Sequence, residues 1–188
     1  MTSQTTPSDD GTRDLSEPII EASNSVLGVT AGETNVETQR ELIDVCLAMA
    51  EQCQRSLDII SRHLDPPLFD NEPFTMAVKA LALRNRHVRV RLLIIDSRPL
   101  IRAGHRLVEL ANRLPSFIEI RAPGRESRHF NEAILVADNI GYIHRQFSDR
   151  YEATIDFSDR RVARRLSDRV DDMWERGVPD PNLRRLSL

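Results

Sequence analysis

The most informative segment of the chain reads Asn131-Glu132-Ala133-Ile134-Leu135-Val136-Ala137-Asp138-Asn139-Ile140-Gly141-Tyr142-Ile143. Five apolar residues are followed by two residues that favour turns, and a second apolar run comes directly after them. A short apolar run bounded by turn residues predicts a buried strand that enters a hairpin. The segment also separates a region of alternating helices and strands from a region of closely spaced short strands.

Upstream of the hairpin, Thr34 and Glu37 have the spacing of a helix capping box and predict the start of a first helix. An apolar stripe at Leu42, Cys46 and Met49 supports that helix. The later predicted elements are a strand over 56–60, a helix capped by Asn71, a strand over 87–96, a helix over 97–114 and a strand over 117–120. Strands joined through helices by short links predict an α/β fold with a mostly parallel sheet.

Downstream, two further strands are predicted over 142–145 and 151–157, and a last helix starts near Ser158. Its first part contains four arginines: Arg160, Arg161, Arg164 and Arg165. Five aspartates lie in or beside the same helix: Asp156, Asp159, Asp168, Asp171 and Asp172. This mixture favours a salt-bridged face over a nucleic-acid-binding stripe.

The ends of the chain differ in composition from its centre. Residues 1–35 hold six acidic residues and one arginine, a net charge of -5, whereas the rest of the chain carries +2. We predict a disordered tail over 1–33, with 1–31 dispensable for folding and with Pro18-Ile19-Ile20 and Val26-Leu27 able to dock. The α/β domain is expected over 34–178, and residues 179–188 are expected to form a C-terminal tail.

Several classes of protein are disfavoured by what the sequence lacks. No apolar run approaches the ~20 residues of a membrane-spanning helix, and no secretory signal is present. The two cysteines have no zinc-site spacing, the histidines have no metal-ligand spacing, and no glycine-rich phosphate loop occurs. We therefore expect a soluble cytoplasmic protein without a metal or a cofactor.

The order of elements resembles one half of the phospholipase D superfamily over residues 36–176. In that family a strand begins with His-x-Lys-x-x-x-x-Asp, a glycine-containing turn follows, and Ser-x-Asn and Asn-x-Glu come later. Asp138 matches the motif aspartate, Gly141 the turn glycine and Glu152 the final glutamate. The resemblance implies a mixed, mostly parallel sheet flanked by helices, and a site completed by two halves of one chain or of a dimer.

The residues that carry the family's chemistry are different here. Asn131 stands at the position of the histidine that attacks phosphorus, and Ala133 stands at the position of the lysine that binds phosphate oxygens. The Ser-x-Asn region reads His144-Arg145-Gln146 and does not match. An amide is no phosphoryl nucleophile and a methyl group carries no charge, so we expect a degenerate, non-catalytic site.

A basic loop precedes the hairpin and predicts an anion site whose candidate residues are Arg121, Arg125, Arg128, His129 and Asn131. An ordinary solvated loop is the alternative. Asp96 and His63 follow strand ends, where open α/β sheets bind ligands. A register shifted by two residues would instead make His129 a nucleophile.

The sequence thus predicts a non-catalytic binding or regulatory module that takes a phosphate-containing ligand. The alternatives are a nucleic-acid-binding protein and a phosphodiesterase that uses an atypically placed His129 or His63. A single half exposes the face that would meet its partner half, so we also expect a homodimer.

Overall fold

The computed structural model describes residues 24–180 and Leu183. Within these residues the strands are β1 (Thr34–Val36), β2 (Ser56–Ser61), β3 (Arg89–Ile94), β4 (Ile118–Ala122), β5 (Ala133–Ala137), β6 (Gly141–Arg145), β7 (Ala153–Asp156) and β8 (Val178–Pro179). The α-helices are α1 (Gln39–Gln52), α2 (Pro66–Phe69), α3 (Glu72–Ala82), α4 (Arg98–Ala103), α5 (Arg106–Arg113) and α6 (Arg160–Glu175). The strands form one mixed sheet in the order β1-β7-β6-β5-β2-β3-β4-β8.

The prediction of a mostly parallel sheet is wrong. Only β2 with β3 and β3 with β4 run parallel, and every other neighbouring pair of described strands is antiparallel. The helical crossovers stop after β4, and the chain then enters β5 beside β2 in the opposite direction, with Leu57 facing Ala137 and Ile60 facing Ile134. The predicted hairpin of β5 and β6 is present, and it continues the antiparallel pairing outwards to β7 and β1.

The two faces of the sheet bury separate apolar cores. On one face Leu135 and Ala137 join a core formed with α1, α3 and α5. On the other face Ile134 and Val136 pack with Tyr142 and the apolar side of α6. Successive residues of a strand point to opposite faces, so the continuous apolar run of β5 reflects a strand that is buried on both sides.

The first helix begins four residues later than the sequence predicted. Thr34 lies in edge strand β1, which pairs with β7 and buries Val36. The capping box is formed by Thr38, whose hydroxyl accepts from the Glu41 amide, and by Glu41, whose carboxylate accepts from the Thr38 amide. The sequence contains the capping pattern twice in succession, and pairing at the sheet edge selects the second copy.

The predicted helix over 97–114 is two helices. Gly104 has φ 76° and ends α4, and His105 then caps α5 by accepting from the Leu107 amide at 3.1 Å. The buried His105 ring also bonds the Leu64 carbonyl at 3.0 Å. The His105 ring, placed at this break between the two helices, therefore links the start of α5 to the loop after β2.

The described part of the predicted N-terminal tail contacts the domain. The amides of Leu27 and Gly28 donate to the Gln52 side chain and to the Phe157 carbonyl, and Leu27 packs beside Gly141. The Gly32 amide donates to Asp156 at 3.0 Å. Residues 1–23, where most of the predicted disorder falls, lie outside the described residues.

The predicted C-terminal boundary of the domain, at residue 178, falls within the folded part of the chain. Val178 and Pro179 form β8 beside β4, and Leu183 is buried with 2% of its surface exposed. The predicted tail over 179–188 therefore includes residues that pack on the domain. The other described residue in that range is Asp180, which accepts a hydrogen bond from Ser97.

Asp138 fixes the hairpin to the first helical crossover. It has φ 56° in the turn after β5, and its carboxylate accepts from the amides of Gln54, Arg55 and Ser56 at 2.7–2.9 Å. The Cys53 thiol also donates to it at 3.2 Å. One side chain thus satisfies the donors of the whole α1–β2 connection.

None of the helices in residues 24–180 combines the length and the apolar character that crossing a bilayer requires.

We expect Asp138→Asn to lower the free energy of unfolding by about 2–3 kcal/mol, because an amide replaces a charged acceptor that three backbone donors share. Asparagine tolerates the left-handed conformation, so backbone strain does not add to the loss. Urea unfolding measures the change. The control is Asp149→Asn at an exposed position, which is expected to stay within about 0.5 kcal/mol of the parent.

We expect a chain that begins at Gly32 to be less stable than one that begins at Asn24 by about 2 kcal/mol, since it loses the packing of Leu27 and its backbone hydrogen bonds. Thermal melting of the two chains provides the comparison. Equal midpoints would support the original expectation that residues 1–31 are dispensable.

Candidate functional site

The position of the family lysine is held by Ala133, which faces Arg145 across the β5–β6 pair. Directly opposed residues on antiparallel strands share one face of the sheet, with their Cβ atoms about 5 Å apart. The small alanine therefore leaves the long Arg145 side chain room on this face. Arg145 is buried, with 3% of its surface exposed.

Every nitrogen of the Arg145 guanidinium has a partner within the fold. Nε donates to the Arg150 carbonyl at 2.7 Å, Nη2 donates to the Ser148 carbonyl at 2.6 Å, and Nη1 pairs with the Asp65 carboxylate. The guanidinium also lies 5.8 Å from the ring centre of Tyr151. This cation is buried and neutralised by Asp65, and each of its three nitrogens already has a partner, so it is not presented to a phosphate group.

The space beside Ala133 and Arg145 is nearly closed. The cavity that they line with Cys46 and Phe69 has a volume of about 10 Å³, which is room for one water at most. Burial raises the pKa of the Cys46 thiol to about 12, and the charges of Arg145 and Asp65 act on it in opposite directions. Cys46 is therefore a core thiol and not a nucleophile.

Asn131, at the position of the family histidine, has a structural partner. Its backbone carbonyl accepts from the Ser148 amide at 2.6 Å, and its side-chain oxygen accepts from the Ser148 hydroxyl at 2.9 Å. These bonds join the start of β5 to the β6–β7 loop. Since Ser148 also bonds Arg145, the two changed motif positions belong to one network.

The motif positions are not gathered in one place. Asp138 lies at the opposite end of β5 from Asn131 and Ala133, where it holds the α1–β2 connection. Glu152 is exposed and lines a separate depression of about 310 Å³ with His144 and Thr154. His129 lies in a turn rather than on a strand, so the strand geometry that a shifted register requires is not formed.

A cleft opens where the parallel strands end. It has a volume of about 500 Å³ and lies beside the carboxyl ends of β2, β3 and β4. Three basic side chains line it, Arg62, Arg98 and Arg128, and we call it the arginine cleft. Arg62 donates to the Phe130 carbonyl at 3.0 Å, whereas the Arg128 side chain has no ion pair or hydrogen bond to any described residue.

One acidic side chain lines the arginine cleft. Asp96 accepts two side-chain hydrogen bonds from Arg98, at 2.6 and 2.8 Å, and these bonds lower the pKa of Asp96 to about 2. His63 lies 3.9 Å from the same carboxylate. The Asp96–Arg98 pair cancels one positive charge, so Arg62 and Arg128 supply the net charge of the cleft.

The structure separates the residues of the predicted anion loop. Arg128 lines the arginine cleft, and Arg125 and His129 are exposed outside its lining. Arg121 lies on the α6 face, where its guanidinium stacks 4.5 Å from the Trp174 ring and donates to the Trp174 carbonyl. It therefore has a packing role away from the cleft.

Glu132 points to the same face as α6. Arg169 donates to both of its oxygens at 2.6 and 2.9 Å, and His144 lies 2.5 Å from one of them. Burial opposes the charged form of Glu132, but these hydrogen bonds outweigh that effect and lower its pKa. The cluster ties α6 to the hairpin.

Two cleft residues were absent from the predicted set. Arg62 directly follows β2 and Arg98 directly follows the Asp96-Ser97 pair after β3, so the strand-end rule that selected His63 and Asp96 could have found both. Arg145 carried no signal in the sequence, because its partner Asp65 is 80 residues away. In the described part of the chain, no three His, Cys, Asp or Glu side chains are grouped to hold a metal ion.

A family model described as a domain of unknown function, DUF7931, matches residues 38–186. No curated protein matches the chain in sequence.

Solved structures share the fold at low sequence identity. TrmBL2, an archaeal chromatin protein with a novel mode of DNA binding, is similar with a TM-score of 0.58 and 16% identity over 79% of this chain and 53% of its own. This chain therefore spans about half the length of TrmBL2. NucT from Helicobacter pylori gives 0.57 and 12% identity, covering 79% of this chain and all of its own (100%).

Nuc from Salmonella typhimurium, a phospholipase D family member, gives a TM-score of 0.54 and 16% identity over 79% of this chain and 99% of its own. Identities this low establish the fold alone. The domain therefore has a phospholipase D-like fold, as the order of its elements predicted.

We expect Asp65→Ala to destabilise the protein by about 3–5 kcal/mol, because it leaves the buried Arg145 cation without its counter-charge. The double variant Asp65→Ala with Arg145→Met removes both charges and is expected to recover part of the loss. Urea unfolding of both single variants and the double variant gives the coupling energy. Additive losses would mean that the ion pair does not hold this end of the sheet together.

Proposed function

The chain belongs to the DUF7931 family, a domain of unknown function, and on that premise we propose that it is a non-catalytic module that binds a phosphate-containing ligand. The observation that carries the proposal is the pairing of Ala133 with the buried Arg145. The space that the family's phosphate-binding lysine would need is taken by a cation that is already neutralised. The thiol beside it, Cys46, is buried with a raised pKa and is therefore a poor nucleophile.

The ligand-binding part of the proposal rests on the arginine cleft. Its position at the carboxyl ends of β2, β3 and β4 is the usual place for ligands of open α/β sheets. Arginine donates through a planar fork that suits phosphate oxygens. Arg128 is the strongest candidate, because no described group competes for its donors.

The absence of hydrolysis is the first expectation. The purified protein should not hydrolyse bis(p-nitrophenyl) phosphate above background, since neither Asn131 nor Ala133 can perform the family's chemistry. Should activity appear, His63→Ala and His129→Ala test the two atypical nucleophiles. Activity that one of these substitutions abolishes would replace this proposal with the phosphodiesterase alternative.

Binding is the second expectation. Inorganic phosphate should shift the backbone amide resonances of Arg62, Asp96 and Arg128. Arg128→Gln should weaken that binding by about tenfold or more, because one hydrogen bond to a charged group contributes about 1.5–3 kcal/mol. The matched control is Arg125→Gln, an exposed arginine of the same loop outside the cleft lining.

Equal weakening by the two substitutions would indicate general charge attraction and contradict a cleft-specific site. Unchanged resonances at millimolar phosphate would contradict phosphate binding altogether.

A further inference from the structure

Four arginines form an exposed basic surface on the first two turns of α6. They are Arg160, Arg161, Arg164 and Arg165, and we call this surface the α6 arginine face. Arg161 makes one long ion pair with Asp159 at 3.7 Å. The side chains of the other three have no ion pair or hydrogen bond to any described residue.

The predicted salt-bridged face is not formed, because the nearby aspartates have other partners. The Asp156 carboxylate accepts from the amides of Gly32, Ser158 and Asp159. Asp159 caps α6, and Asp171 pairs with Arg91 at 2.7 Å. Asp168 and Asp172 are exposed further along the helix and form no ion pair with these arginines.

The distribution of charge along α6 opposes its helix dipole. The first turn of α6 has no acidic residue and the last turn has no basic one, the reverse of the arrangement that stabilises a helix. Asp159 at the cap and Asp156 just before it offset part of the charge at the positive end. A row of exposed arginines that the fold leaves largely unpaired is typical of a functional surface.

From this surface we propose that the α6 arginine face binds the phosphodiester backbone of a nucleic acid. Arg160 and Arg164 are separated by about 6 Å along the helix axis, and one nucleic-acid strand carries a charge about every 3.4 Å of axis. The arginines can therefore contact neighbouring phosphates of one strand. Their forked donors bind phosphate oxygens without reading the bases, so binding is independent of sequence.

A membrane surface fits the α6 arginine face less well. Interfacial helices insert an apolar face beside their basic residues, but the apolar side of α6, with Val162, Leu166 and Val170, is buried against the sheet. The exposed large apolar residues of the described chain include Val26 and Val29 on the segment 24–33, and none of them is on α6.

This surface is independent of the arginine cleft. The first turn of α6 follows the end of β7, which lies at the same end of the sheet as Asp138, whereas the cleft lies at the other end. Substitutions on the α6 arginine face therefore leave the arginine cleft intact, and loss of DNA binding can be distinguished from loss of phosphate binding in the cleft.

The test uses the full chain and short labelled duplex DNA of unrelated sequences, followed by fluorescence anisotropy at several salt concentrations. The variant carries Arg160→Gln, Arg164→Gln and Arg165→Gln. It should reduce the salt dependence, the slope of log K against log salt, by about 2–3, because each phosphate contact contributes about 0.9. The variant should melt no lower than the parent, since it removes charges that oppose the helix dipole.

The matched control carries Arg40→Gln, Arg102→Gln and Arg113→Gln, which remove the same charge from exposed positions on the opposite layer. It should bind like the parent. Equal losses in the two triple variants, or no binding to duplex DNA at about 50 mM salt, would overturn the proposal. Tighter binding to vesicles containing anionic lipid than to DNA would also overturn it. Comparable binding of single-stranded RNA would support it, because the phosphodiester backbone is shared.

Discussion

The end of the sheet where β5 begins depends on the ion pair and hydrogen bonds of one buried group, the guanidinium of Arg145. It links β6 to Asp65 after β2 and to the carbonyls of Ser148 and Arg150 in the β6–β7 loop. The Ser148 hydroxyl in turn donates a hydrogen bond to Asn131, just before β5. A buried cation must keep all of these partners because leaving it unpaired costs several kcal/mol. The surface loops at this end are thus arranged around one charged group.

The two ends of β5 have different roles in the fold. At its far end Asp138 keeps the residue type of the phospholipase D-like motif and serves the fold by accepting four hydrogen bonds from the α1–β2 connection. At its near end the positions of the histidine and lysine hold Asn131 and Ala133, which serve packing and loop anchoring. Asp138, which matches the motif aspartate, therefore makes its hydrogen bonds within the fold.

The sequence was sufficient where local patterns determine structure. The apolar stripe of α1, the cap at Asn71 and the hairpin after Asp138 all follow from spacing and side-chain chemistry. The sequence was insufficient where structure depends on contacts between segments that are far apart in the chain. Such contacts set the direction of β5, the choice of Thr38 over Thr34 as the helix cap, and the partner of Arg145. The arginine cleft was predicted in part, because the strand-end rule indicated the edge of the sheet where the cleft lies but not which arginines of the loops line it.

The pairing of Ala133 with Arg145 also restricts the order in which substitutions can accumulate. A lysine introduced at position 133 would meet the Arg145 cation in a space of about 10 Å³, and removing Arg145 first would leave Asp65 without its partner. Each of these single changes is therefore unfavourable on its own, and the cost of a lysine at position 133 depends on whether Arg145 is present. This epistasis constrains the two positions jointly, because a change at either one alone leads to a less stable protein.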